Sequence, residues 1–234
     1  MQGQLKSKQE IANGTLQVIF ETKEAFSFKP GQYCFITIAD LKYPDERGNR
    51  RHFSIINPPS EKGIITFATR LTGSGFKKTL QQMPIGNEVT LGPIAGVFTL
   101  PKDTNKPLVF IAGGIGITPF MSILRSLRET KNAYHITLVY SNRDQSSTPF
   151  LDEIQNLGNT LPNFKLVLTM TEDPNWTGEK RKIDASFIKE YFPDTNGHSY
   201  MVVGPPPMVE AVQKSLDSAG IAAENTRIER FTGY

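Results

Sequence analysis

The hydrophobic period of the chain changes once, near residue 101. Before that point short runs alternate apolar and polar residues between turns: TLQVIFET (15–22), QYCFITIA (32–39), HFSIIN (52–57), GIITFATR (63–70), NEVTLGP (87–93) and GVFTL (96–100). A period of two marks half-buried antiparallel strands. Gly31, Gly63, Gly86 and Gly92 fall at or near the breaks, and such spacing predicts a barrel or sandwich. After the polar, proline-ended stretch PKDTNKP (101–107), the runs LVFIA (108–112), ITLVY (136–140), FKLVLTM (164–170) and YMVVG (200–204) are continuously apolar, as strands of a parallel sheet buried on both faces are. Helical patterns at 119–129, 150–158, 184–192 and 207–220 separate or follow them. In the last, Val209, Val212, Leu216 and Ala219 recur at helical spacing and Gly220 stops the helix. The sequence therefore predicts two domains: an antiparallel β-barrel over 1–101 and an α/β doubly wound domain with a parallel sheet over 102–234.

Several function classes recede on composition. The net charge of +3 in 234 residues is too small to point to nucleic acid. No apolar run approaches the ~18 residues of a membrane span, and the polar start MQGQLKSKQEIANG has no signal-peptide core. The expectation is a cytoplasmic protein. Cys34 is the one cysteine, so these residues hold neither an internal disulfide nor a cysteine-ligated cluster. His52, His135 and His198 lack ligand spacing, and no metal site is expected. Nothing reads as an oligomerisation helix, which leaves a monomer as the default.

The strongest local signal is Ala112-Gly113-Gly114-Ile115-Gly116-Ile117-Thr118-Pro119, directly after an apolar run and opening a helix. Glycines allow a tight turn and let a pyrophosphate approach the backbone. The helix start adds free N–H groups and partial positive charge, with Thr118 as cap and Pro119 at the first position. The pattern departs from G-x-G-x-x-G, because Pro119 stands where the third glycine would be. At the end of the next strand, Ser141 and Arg143 suit a 2′-phosphate, which favours NADPH. Asp144, one residue on, is the kind of acid that takes the ribose of NADH.

The barrel half carries Phe28-Lys29-Pro30-Gly31-Gln32, then Arg51-His52-Phe53-Ser54, then Thr72-Gly73-Ser74-Gly75-Phe76-Lys77, then Gly92-Pro93-Ile94-Ala95-Gly96-Val97-Phe98. With the turn at 113–119 and Gly204-Pro205-Pro206-Pro207-Met208, this ordered set resembles the ferredoxin–NADP reductase superfamily from about residue 10 to the end. The match at 92–98 is one residue longer than the family's usual G-P-x-G-x-F.

The resemblance implies a flavin-binding barrel and a nicotinamide nucleotide-binding α/β domain, with FAD rather than FMN. It implies that Arg51 holds the flavin pyrophosphate, that Phe53 packs on the isoalloxazine, and that Ser54 lies near flavin N5. His52 and Ile55 complete that strand of the site. Ser74, Gly75, Phe76 and Lys77 surround the pyrophosphate. Gly113, Gly114, Gly116, Thr118, Pro119, Ser141, Arg143, Gly204, Pro205 and Met208 hold NADPH or NADH. Ser54, Glu229 and Phe231 form the catalytic set, Phe231 or Tyr234 covering the flavin. Val203 stands where many relatives have a cysteine.

The implied activity passes a hydride from NAD(P)H to FAD and electrons onward to a separate acceptor, ferredoxin or flavodoxin first. Alternatives are the reductase component of an oxygenase, a cytochrome reductase, a free flavin or ferric reductase, and a non-catalytic flavin- or nucleotide-binding module. Lys6, Lys8, Arg47, Arg50, Lys77 and Lys78, if clustered, would steer an acidic acceptor. Lys180-Arg181-Lys182 is a further candidate for nucleotide phosphate.

Overall fold

The computed structural model describes residues 1–101, 106–131 and 134–231; Tyr234 lies outside them. Two compact units emerge. One gathers Met1–Leu100 with Thr118–Glu129, the other Pro101–Ile117 with Thr130–Tyr234.

In the first unit β1 (Gln2–Ala12), β2 (Thr15–Glu21), β3 (Tyr33–Thr37), β4 (Arg50–Ser54), β5 (Ile64–Arg70) and β6 (Glu88–Ala95) form a sheet in the order β4-β3-β6-β1-β2-β5, with every pairing antiparallel. The two ends of that order meet. The N–H of Ile56, just past β4, donates to Thr66 O of β5 at 2.9 Å, and Phe53 stacks on Phe67 with centroids 4.3 Å apart. The sheet thus curls into the predicted barrel around Leu5, Val18, Phe20, Ile36, Phe67 and Leu91. α1 (Gly75–Gln82) lies between β5 and β6.

Two segments differ from the sequence reading. The polar N-terminal stretch is the longest strand, because β1 is bonded to β2 and β6 and needs only Gly3 and Leu5 facing inward. A Cβ on Gly3 would stand 2.3 Å from Leu91 Cδ1, so the close approach requires glycine. The run 96–100 is not a strand. Gly96 turns it with φ +111°, leaving Phe98 buried and Val97 exposed.

α2 (Thr118–Thr130) also belongs with this unit over most of its length. Ser122 Oγ donates to Asn57 O at 2.8 Å and Arg125 Nη1 to Ile56 O at 3.0 Å.

In the second unit β7 (Leu108–Gly113), β8 (Ile136–Asn142), β9 (Phe164–Met170), β10 (Ser199–Gly204) and β11 (Thr226–Arg230) form a sheet in the order β11-β10-β7-β8-β9, parallel throughout. The direction of the order reverses between β7 and β10, the switch point at which such sheets bind ligands. α3 (Leu151–Thr160), α4 (Ala185–Tyr191) and α5 (Pro206–Ser218) complete it. Phe187 and Ile188 of α4 and Val209, Val212 and Leu216 of α5 pack on Val109, Ile111, Val139 and Val202. β11, TRIER, has a single large aliphatic and no apolar run to announce it. No helix among the described residues is long and apolar enough to cross a membrane.

Candidate functional site

On the barrel, charge converges where β4 meets the start of α1. Arg51 Nη2 lies 2.5 Å from Asp45 Oδ1, and both residues are half-buried. Nη1 of Arg51 donates to the carbonyls of Arg47, Gly48 and Arg50. Asp45 Oδ2 accepts the Phe76 N–H of the first turn of α1 at 2.8 Å. Burial alone would raise the Asp45 pKa, but the N–H groups of Phe76 and Arg47 and the Arg51 charge outweigh it and hold the carboxyl below its usual range. Lys77 is buried, and its ammonium donates to Thr72 Oγ1 at 3.0 Å. Desolvation, then the nearby charges of Arg47 and Arg51, push its pKa down to about 8. Helix start, guanidinium and lysine gather positive charge around the Asp45 carboxylate. The residues fit a flavin phosphate.

Local sequence explains the pocket. Ser74 caps α1, its Oγ accepting the Lys77 N–H at 3.3 Å. A Cβ on Gly75 would stand 2.1 Å from Pro44 O, so glycine lets the loop carrying Asp45 lie against the helix start.

In the second unit β7 runs into a 3₁₀ turn, Gly114–Ile117, which opens α2 with Thr118 as its first residue rather than its cap. Gly114 has φ +53°, the left-handed conformation a tight turn needs. The other glycines answer to the chain itself. A Cβ on Gly116 would meet Val203 O at 2.5 Å, and on Gly113 or Gly204 would meet Met208 Sδ at 2.9 Å. Met208 is thus a packing residue, and the turn, β7 and β10 touch through bare backbone. Tyr140 Oη donates to Gly114 O at 3.0 Å and anchors the turn. Pro205 caps α5 and Pro206 and Pro207 follow, so these three positions at the start of α5 offer a phosphate no N–H.

At the end of β11 Glu229 pairs with Val203 of β10. Its Oε2 is buried without a hydrogen-bond partner among the described residues, and burial raises its pKa to about 7. Phe231 is half-buried, its N–H donating to Gly204 O at 3.0 Å.

Comparison with known proteins agrees with this layout. Residues 110–214 match the family described as oxidoreductase NAD-binding domain. The reductase component of propane 2-monooxygenase from Rhodococcus jostii is 31% identical over 214 residues, 88% of this chain and 56% of that protein. The xylene/toluene monooxygenase electron transfer component from Pseudomonas putida is 30% identical over 234 residues, 97% of this chain and 64% of that protein. A ferredoxin NADP⁺ reductase from Neisseria gonorrhoeae, solved with bound FAD and NADP, superposes with a TM-score of 0.82 at 19% identity, covering 98% of both chains. Over its second half the chain matches a nucleotide-binding family, and it shares its fold with a solved ferredoxin NADP⁺ reductase. It spans between about half and two thirds of the length of the two curated relatives named.

Against the superfamily pattern, the block 51–55 divides. Strand alternation puts Arg51 and Phe53 on one face of β4 and His52 and Ser54 on the other. Phe53 is 8% exposed, its ring stacked on Phe67 and set against Phe76. Core packing therefore claims the ring expected on the isoalloxazine. Ile55 is fully buried, and its N–H is taken by Gln32 O, so its side chain is unavailable to a cofactor. Phe76 is likewise core, with Arg51 over its ring. His52 faces outward against Tyr33 and Phe35. Thr118 and Pro119 are buried, Ser141 is half-buried and Arg143 exposed.

Asp144 Oδ1 is engaged in its own turn, accepting Ser146 Oγ at 2.6 Å and the Ser147 N–H at 2.8 Å. Arg181 is held by Glu179 and Glu190 and is not a free phosphate ligand. Of the basic residues of the barrel half, Lys6 pairs with Glu21, Lys8 donates to carbonyls at the end of α1 and Lys77 is buried, while Arg47, Arg50 and Lys78 are exposed. Sequence reasoning missed Asp45, one of whose partners, the Phe76 N–H, lies 31 residues along the chain, and Asn142, which stands between two residues it selected.

Proposed function

We propose that this chain is a flavin-dependent NAD(P)H oxidoreductase that passes electrons to a separate acceptor. The observation that carries the reading is the cationic pocket of Arg51, Lys77 and the α1 start, already holding an anion in Asp45. Arg51 and Lys77 would hold the flavin phosphates, FAD before FMN, and the Gly114–Ile117 turn the pyrophosphate of NAD(P)H. Bound flavin supplies hydride acceptance at N5 and one-electron release. Ser54 would donate its hydroxyl toward that nitrogen. Glu229, with its raised pKa, keeps a proton near neutrality and can give or take it.

The relatives' names describe parts of monooxygenase systems. That supports an oxygenase component as the electron acceptor over the ferredoxin or flavodoxin of the sequence reading.

The test is anaerobic mixing of the FAD-reconstituted protein with NADPH or NADH while absorbance near ~450 nm is followed. Bleaching within turnover time is the expected result. A protein that stays yellow with both nucleotides is a binding module, not a reductase.

A further inference from the structure

The segment that follows β4 is held from two sides. On one it is tied to β5: the Ile56 N–H donates to Thr66 O at 2.9 Å. The buried Asn57 side chain accepts the Thr66 N–H at 2.8 Å and donates to Ile64 O at 3.0 Å. On the other side it meets α2. Ser122 Oγ donates to Asn57 O at 2.8 Å and Arg125 Nη1 to Ile56 O at 3.0 Å. Residues three apart share one helix face, so that face grips two successive carbonyls. Ser122 is fully buried. A hydroxyl inside a helix commonly returns to the carbonyl four residues back; this one goes to a carbonyl 65 residues away.

What lies at the two ends of this clamp gives it a use. Ser54, the last residue of β4, stands just before Ile56, and its hydroxyl is the one assigned above to the flavin. Thr118, the first residue of α2, is bonded directly to the turn Gly114–Ile117. From Thr118 to Ser122 is about 6 Å of helix, roughly one turn. α2 packs as part of the barrel unit, whereas that turn belongs to the other. The backbone that would hold the nucleotide phosphates therefore joins the barrel unit one helical turn from the grip. Hydride transfer needs its reacting atoms about 3–3.5 Å apart, and a misplacement of about 1 Å can slow a reaction about 100-fold.

We propose that Ser122 and Arg125 are positioning residues for hydride transfer. Through the carbonyls of Asn57 and Ile56 they fix the start of α2, and with it the nucleotide turn, against the strand that carries Ser54. The inference rests on the reductase reading above.

The experiment compares S122A, R125M and R125K with the parent, all as the full chain. Loaded with FAD, each is mixed anaerobically with NADH and with NADPH, which gives both the Kd of the nucleotide and the limiting rate of flavin bleaching. Without FAD, hydrogen exchange is followed over 114–121 and over the hairpin 2–21. S122A and R125M are expected to bleach about tenfold more slowly at saturating nucleotide, with Kd within about twofold of the parent. Exchange should quicken over 114–121 and stay unchanged over 2–21. R125K keeps a donor and should recover most of the rate. Bleaching at the parent rate by S122A and R125M overturns the proposal and makes these bonds structural, whatever the variants' melting temperatures. A loss that lies in Kd rather than in the limiting rate also overturns it. If S122A fails to hold FAD, R125M and R125K decide between the same outcomes. A parent that bleaches with neither nucleotide overturns the reductase reading itself.

Discussion

Asp45 joins Arg51 to the first turn of α1: one carboxylate oxygen lies 2.5 Å from Arg51 Nη2 and the other accepts the Phe76 N–H. A phosphate bound to these donors must displace the carboxylate. Asp45→Asn removes the competing charge and weakens the clamp. FAD is expected to bind the variant several-fold tighter, as measured by fluorescence titration, while the apoprotein melts about 5 °C lower. Unchanged FAD affinity would mean that the phosphate lies elsewhere.

Lys77 gives that site a pH dependence. Its folded pKa is lowered to about 8, so it loses its charge well before an exposed lysine. A bound phosphate favours the charged form. FAD affinity should therefore fall as pH rises through about 8, and Lys77→Gln should flatten the profile. Stability of the apoprotein has the opposite sign: between about 8 and the ordinary value of 10.5 the unfolded chain binds the extra proton, so folding gains as pH rises.

Glu229 works in reverse. Its pKa is raised from 4.5 to about 7 by burial, so in that interval the folded state holds the extra proton. Stability is expected to fall as pH rises from 4.5 to 7. Glu229→Gln should remove that slope, as read by urea denaturation at several pH values. A parent and variant with the same slope would place the carboxylate in water.

Gly116 and Gly158 test the packing account as a pair. A methyl on Gly116 would meet Val203 O at 2.5 Å, a backbone atom that cannot swing away. Gly116→Ala is expected to cost about 1–3 kcal/mol. Gly158, inside α3, has nothing within 4 Å of its Cβ position, and Gly158→Ala should stabilise by about 0.5–1 kcal/mol. Denaturant midpoints decide both.

The sequence by itself determined the architecture, because periods of hydrophobicity are local. Alternation over 15–22, 32–39 and 63–70 marked barrel strands. The continuous runs at 108–112, 136–140, 164–170 and 200–204 marked the parallel sheet. Motif order pointed to Arg51 and Ser74–Lys77 and to the turn at Gly113–Gly116. β1 escaped because a strand paired on both sides is held by backbone bonds, which leave no trace in side-chain pattern.

Only the tertiary structure decided which way each side chain faces and what already occupies it. The 51–55 block looked continuous, yet alternation and core packing set Phe53 and Ile55 into the interior and His52 outside. Asp45 meets Arg51 and Phe76 through the loop that Gly75 admits, and Asp144 is spent on its own turn. The side-chain amide of Asn142 has no hydrogen-bond partner among the described residues. Satisfaction of a buried polar group depends on atoms from distant parts of the chain, and no local pattern encodes it.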